Sequence, residues 1–303
     1  MKTPKFWNNN GGMATLLAPI AFIYKAVTQW RIKHAKPYKS KAYVICIGNI
    51  TAGGVGKTPV AAAMAEKYLK KNKKVVFLTR GYKSKLKNTV VDLTKHSAIE
   101  TGDEARILAE IAPVIVAPDR AKGAKIAESM GADVIIMDDG FQNPRLYKDE
   151  SWLVFDGATG IGNGRIIPAG PLRETLESGE KRAQHILVMG EDKTGLKEKC
   201  HLPVHFGHLE PQPFDLMHKR VLAFAGIGHP EKFYQTLKNM DYEVVETRDF
   251  ADHYAYSEAD VARLLKEATA KELAVVTTQK DFVKLPIKYR GQVHCLYVRA
   301  VID

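Results

Sequence analysis

Lys57 and Thr58 close a glycine run, Gly53-Gly54-Val55-Gly56, and that spacing suits the grip of a phosphate. Glycines let backbone N–H groups converge on phosphate oxygens with no Cβ in the way. Lys57 would reach the β- and γ-phosphates of a nucleotide, and the Thr58 hydroxyl would hold Mg²⁺. Thr51 and Ala52 open the loop, with Thr51 standing where such loops usually start with Gly. An apolar run, 43–47, leads in, and an alanine-rich run, 59–70, leads out. Strand, glycine loop, Lys-Thr and helix make a P-loop, whereas the glycines alone would also fit a plain turn beside a solvated lysine.

Carboxylates supply the second signal. Val134-Ile135-Ile136-Met137 runs into Asp138-Asp139-Gly140, the pattern of a Walker B strand that brings Asp to the Mg²⁺ beside a P-loop. Asp103-Glu104 opens a helix over 101–111 and carries two readings. Thr101 with Glu104 three residues on fits a capping box, and the same acids fit a base or metal ligand at the mouth of a site. Arg80 and Tyr82 follow an apolar strand at 74–79, where an open α/β sheet faces its ligand, although a strand exit explains them as well. Arg120, after a strand at 113–118, carries a planar fork suited to phosphate. The Gly- and Pro-rich stretch 157–174 is too long for an idle turn and suits substrate holding. Gly226-Ile227-Gly228 lacks the third glycine of a dinucleotide fingerprint and reads as a turn. His253 follows Asp252 in an apparent loop and by itself reads as an ordinary surface histidine.

These residues need a scaffold. Strands at 43–47, 74–79, 113–118, 134–138, 152–156 and 185–189 alternate with helical runs, which predicts a mostly parallel α/β sheet of P-loop NTPase type with flanking helices. A linker is expected at 209–213, Leu-Glu-Pro-Gln-Pro, before a smaller α/β unit. The expected divisions are an N-terminal segment at 1–40, a core at 41–210 and the smaller unit at 214–303.

The chain has 303 residues, 45% of them apolar, and a net charge of +11. That describes a globular protein of one large or two ordinary domains. The three cysteines, Cys46, Cys200 and Cys295, suggest a reducing compartment and neither a disulfide framework nor a zinc site. No Asp or Glu precedes Glu66, while nine Lys or Arg do, so an anionic partner is expected at the N-terminus. The apolar run 13–24 is too short to span a bilayer and reads as no signal peptide. Ile20, Ile23, Val27 and Trp30 recur at helical spacing beside Lys25, Arg31, Lys33 and Lys36. That pattern fits an amphipathic helix in a membrane interface, and equally a helix packed on its own domain. Few stacking aromatics accompany the charge, so no nucleic-acid partner is expected.

Seven stretches in order carry a resemblance: the loop 48–59, Arg80-Gly81-Tyr82, Gly102-Asp103-Glu104, Asp138-Asp139-Gly140-Phe141-Gln142, 168–174, Asp252-His253 and Thr278-Gln279-Lys280-Asp281. Together the chain resembles the tetraacyldisaccharide 4′-kinase (lipid A 4′-kinase) family over nearly its whole length. The resemblance implies a peripheral, monotopic enzyme on the cytoplasmic face of the inner membrane of Gram-negative bacteria. It would act as a monomer on an anionic membrane surface, with ATP and Mg²⁺. It would transfer the γ-phosphate to the 4′-hydroxyl of a tetraacyldisaccharide 1-phosphate. Residue by residue, it implies nucleotide contact at Thr51, Ala52, Gly53, Gly54, Val55, Gly56, Lys57 and Thr58. Metal support falls to Thr58, Asp138, Asp139 and Glu104. Asp103 would be the general base, paired with His253. Arg80, Tyr82, Arg120, Gln142, Arg173 and Glu174 fall in stretches that contact substrate or metal. Asn143 stands where many relatives are expected to carry His, so its side chain receives no role. The alternative function is a membrane-associated P-loop ATPase switch of the partition type, but those carry a lysine where this chain has Ala52.

Overall fold

Short runs of Val and Ile alternate with Ala-bearing segments, so strands alternate with helices. The computed structural model describes residues 4–82, 84–214, 216 and 219–303; residues 1–3 of the expected N-terminal segment and Lys83 lie outside them. In chain order the elements are α1 (Gly12–Leu16), α2 (Ala18–Lys33), β1 (Tyr43–Gly48), α3 (Lys57–Leu69), β2 (Val75–Thr79), β3 (Thr89–Val90), α4 (Ala98–Thr101) and α5 (Asp103–Leu108). Then come β4 (Val114–Val116), α6 (Arg120–Ser129), β5 (Val134–Asp138), β6 (Glu150–Asp156), α7 (Leu176–Glu180), β7 (His185–Met189) and β8 (Val204–Pro211). The rest of the chain gives β9 (Arg220–Ala225), α8 (Pro230–Asn239), β10 (Glu243–Asp249), α9 (Glu258–Ala270), β11 (Ala274–Thr278), α10 (Gln279–Phe282), β12 (His294–Leu296) and β13 (Val298–Ile302).

Nine strands form one sheet in the order β13-β8-β7-β6-β1-β5-β2-β4-β3. Only the two edge strands, β13 and β3, run antiparallel to their neighbours. β1 lies in the middle. Its inner residues are buried on both faces, which is why it reads as a continuous apolar run. Ile45 and Ile47 pack with Val60, Ala61 and Met64 of α3, and Val44 and Cys46 with the cluster that holds Ala124 and Ala127 of α6. From β1 the chain winds towards β2, and from β6 it winds the other way, towards β7. Loops at that reversal diverge and leave a crevice beyond the carboxyl ends of the strands.

A second, all-parallel sheet has the order β10-β9-β11-β12. It packs against α9 on one face and α8 on the other. The boundary between the sheets corrects the expected linker. Residues 209–211 belong to β8 and pair with β13, with Leu209 opposite Ala300. β7 pairs only with 204–207 of β8, so Pro211 sits where one side of the strand is open and no ladder bond is lost. The smaller unit expected over 214–303 therefore gives its last strand, β13, to the large sheet. Two adjacent strands, one outgoing and one returning, connect the two lobes.

In α2 only Ala21 is buried, while Ile20, Phe22, Ile23, Val27 and Trp30 are exposed. The reading in which this apolar face packs on its own domain does not hold. Among the described residues, no helix is long and apolar enough to cross a membrane.

Candidate active site

β1 delivers the glycine loop. Gly53 (φ 124°) and Gly56 (φ 81°) adopt backbone conformations that side chains resist. A Cβ added to Gly53, Gly54 or Gly56 would meet no atom within 4 Å, so the loop faces an open hollow. Thr51 and Ala52 do other work. Thr51 is buried and bridges to Leu172, and Ala52 donates its N–H to Pro171 O at 2.8 Å. They anchor the loop to the stretch 165–174, and the part lining the cleft starts at Gly53. That stretch also holds the N-terminal segment, since Trp7 Nε1 donates to Pro168 O and Arg165 Nη1 to Ala14 O.

Strand register supplies the acid. Ile47 of β1 and Thr79 of β2 both lie level with Asp138 at the end of β5. Thr58 Oγ1 therefore donates to Asp138 Oδ2 at 3.0 Å. Asp138 is buried, and among the described residues its Oδ1 has no hydrogen-bond partner. Burial first, and then the neighbouring Asp139, push the Asp138 carboxyl up to about 6. An orphaned buried oxygen next to a Thr hydroxyl and the open side of the glycine loop fits Mg²⁺. Among the described residues, no three His, Cys, Asp or Glu form a ready-made cage. Mg²⁺ keeps several waters and leans on one or two carboxylates plus substrate phosphates, so no such cage is needed.

Asp139, in the left-handed region (φ 53°), directs Oδ1 to within 3.6 Å of Lys57 Nζ and 3.4 Å of Arg173 Nη1. Arg173 Nη1 also donates to Gln142 Oε1, and Gln142 Nε2 donates to Asn49 O and Glu174 Oε1. Glu174 corrects its expectation. It is buried under an ion pair with Arg182, away from the cleft, and orients Gln142 instead of meeting substrate. Asn143 Oδ1 accepts from the Arg145 N–H and closes a turn.

The acidic pair is not a capping box. Ser97 and Glu100 form the box, one turn earlier, and Thr101 ends α4. Gly102 (φ 87°) breaks the helix, and an added Cβ would lie 3.0 Å from Tyr82 O. Asp103 and Glu104 thus start α5 with their side chains free to meet the other lobe. Asp103 Oδ2 accepts from His253 Nδ1–H at 2.9 Å. Glu104 Oε1 accepts from Lys280 Nζ at 2.7 Å. Burial raises the Glu104 carboxyl, but the charge and hydrogen bond of Lys280 outweigh it and leave it below its ordinary value. His253 leaves the β10–α9 loop with φ 60°, donates its N–H to Gly226 O and lies 5.6 Å from the Tyr82 ring. Because Nδ1 faces a carboxylate, Nε2 is the ring atom left to accept a proton.

One cleft of about 2610 Å³ joins these parts, larger than the roughly 300–1,000 Å³ usual for a small ligand, and so has room for a nucleotide and a sugar together. Its walls include 53–58, Arg80, Tyr82, Glu104, Arg120, Asp138, Asp139, Gln142, Arg173 and His253. Arg120 reaches it although only 2% exposed, and burial lowers its guanidinium to about 10. Thr51, Ala52, Asp103 and Glu174 lie behind the wall. Lys280, although inside the stretch Thr278-Gln279-Lys280-Asp281, and Lys284 carried no expected role. Their spacing of four on one short turn, beside Asp281, was the available signal.

Comparison with known proteins agrees with this geometry. Residues 13–303 match the family model "Tetraacyldisaccharide-1-P 4′-kinase". The chain is 45% identical to the tetraacyldisaccharide 4′-kinase of Rhodospirillum centenum, covering 98% of this chain and 92% of that protein. It is 44% identical to the tetraacyldisaccharide 4′-kinase of Rhodospirillum rubrum, covering 100% and 94%. Among solved structures, LpxK from Aquifex aeolicus in complex with ATP superposes with a TM-score of 0.80, at 29% identity over 96% of this chain and 95% of that one.

Proposed function

The chain belongs to the tetraacyldisaccharide-1-P 4′-kinase family, and from that premise we propose how its own residues perform the transfer. The reaction moves the ATP γ-phosphate to the 4′-hydroxyl of a tetraacyldisaccharide 1-phosphate. The observation that carries the assignment is the meeting of Lys57, Thr58 and Asp138 with the Asp103–His253 pair around one cleft.

A sugar hydroxyl attacks phosphorus in line, so the protein must position it and offset charge. The backbone of 53–58 cradles the phosphates, and Lys57 neutralises the transferring group. Thr58 and Asp138 would hold Mg²⁺, with Asp139 and Glu104 beside them. Bound there, the ion would supply positive charge that offsets the charge of the phosphates. Asp103 and His253 act as one unit that takes the acceptor proton, with Asp103 fixing the ring through Nδ1 and Nε2, 3.8 Å from Asp252 Oδ1, accepting the proton. Arg80, Tyr82, Arg120, Gln142 and Arg173 orient the substrates. His253 and Lys280 come from the smaller lobe, so the base is complete only when the lobes meet, which limits hydrolysis by water.

The exposed face of α2 seats the enzyme as a peripheral protein on the cytoplasmic face of the inner membrane, where the acylated substrate lies. The same helix contributes Tyr24, Trp30 and Arg31 to the cleft, which brings the lipid surface to the site. One chain supplies every group named, so a monomer suffices. Incubation with ATP, Mg²⁺ and the disaccharide 1-phosphate should raise the lipid mass by one phosphate. ATP-dependent dimerisation with no phosphate on the lipid would instead indicate a partition-type switch.

A further inference from the structure

Among the described residues, the buried Asp103 carboxylate has one hydrogen-bond partner, His253, and a buried carboxylate needs more than one neutral donor to stay in place. Its oxygen Oδ2 has a second neighbour. Lys284 Nζ lies 3.8 Å away, reaching across from the turn that follows α10. The Lys284 side chain is 3% exposed, beneath the Tyr256 ring. Its Nζ also lies 2.9 Å from Asp281 Oδ1, although among the described residues no acceptor meets it at a hydrogen-bonding angle.

Asp281 does not require this lysine for its hydrogen bonds. It accepts from the Gly226 N–H at 3.0 Å, the Tyr256 hydroxyl at 2.9 Å and the Thr278 hydroxyl at 2.7 Å. The buried ammonium thus lies between two carboxylates, nearer to Asp281, which has three other donors, than to Asp103, for which it is the cation within ion-pair distance. Lys280 and Lys284 are one helical turn apart, and they meet the adjacent carboxylates Glu104 and Asp103.

We propose that Lys284 is a positioning residue for the transfer, its ammonium fixing the Asp103 carboxylate so that Asp103 holds the His253 ring toward the acceptor hydroxyl. The inference rests on the proposed Asp103–His253 unit. Lys284 is not part of the cleft wall and acts through Asp103 alone.

The test is a kinetic cycle on the full chain with Lys284→Met, His253→Ala and both together, with thermal midpoints measured alongside. Loss of a general base lowers kcat about 10²–10⁴-fold, and loss of its support should lower kcat by a part of that, about tenfold or more. KM for ATP and for the lipid should stay within about twofold. In the His253→Ala background the Lys284 change should cost less than about twofold, because residues acting as a unit are not additive. If Lys284→Met does not fold, Lys284→Met with Asp281→Asn removes both charges of the second pair and enters the same cycle, with Asp281→Asn alone as its reference because Asp281 also holds Gly226. A wild-type kcat for the Lys284 variant, an equal loss in both backgrounds, or a loss confined to KM would each overturn the inference. A wild-type kcat for His253→Ala would overturn the Asp103–His253 reading itself, separately from the role of Lys284.

Discussion

Asp103 and His253 stand 150 residues apart in the chain, yet Asp103 Oδ2 and His253 Nδ1 lie 2.9 Å apart across the junction of the two lobes. The pair exists because Gly102 frees the first turn of α5 and Gly226 anchors the loop that carries His253. Neither lobe alone holds the unit.

The first expectation follows from that contact. Asp103→Ala and His253→Ala should each lower kcat about 10²–10⁴-fold, and the double variant should lose little more. ATP affinity should change far less. Asp103→Asn keeps the shape of the helix start but cannot hold the ring as a carboxylate does. A fully active Asn variant would leave Asp103 a structural residue.

The phosphate cradle gives the second. Lys57→Ala removes the positive charge from the transferring group, and in a dry site such a charge is worth several kcal/mol, about 10²–10³-fold in kcat. Turnover near the wild-type rate in the purified variant would contradict the P-loop role.

Asp138 links function to stability. Its pKa in the folded, nucleotide-free protein is about 6, above the ordinary 3.8. Between those values the folded state binds the extra proton, so stability falls as pH rises from about 4 to about 6. A shift of that size corresponds to about 3 kcal/mol. Asp138→Asn should therefore raise the thermal midpoint of the nucleotide-free protein at pH 7, flatten its decline between pH 4 and 6, and lower phosphoryl transfer. Melting curves unchanged by the substitution would show that burial of this carboxylate is not costly.

The N-terminal helix gives the fourth. Ile20 and Ile23 are exposed, so changing both to Ser should weaken binding to anionic vesicles and leave the melting temperature unaltered. Lys33→Glu with Lys36→Glu should also weaken binding, less so in high salt, because exposed charges are screened beyond about 8–10 Å at physiological strength. Unfolding in the Ser variant, with vesicle binding indifferent to the Glu changes, would make α2 a structural element.

The sequence by itself determined the parts whose physics is local. Glycines before Lys57-Thr58, flanked by an apolar run and an alanine-rich run, specify strand, loop and helix with no help from distant residues. Val134 to Asp138 likewise announces a buried strand ending in acid. Only the tertiary structure decided what depends on register and on contacts between lobes. It set Asp138 level with Ile47, turned the expected linker into a paired strand, and placed Glu174 under Arg182 instead of in the cleft. It also removed the capping-box reading of Asp103-Glu104. A capping box is a local pattern, and Thr101 with Glu104 matches it, but Gly102 breaks the helix between them. What faces the freed carboxylates is His253, Lys280 and Lys284, from segments about 150 to 180 residues further on. Spacing along the chain carries no information about such encounters; the packing of two sheets does.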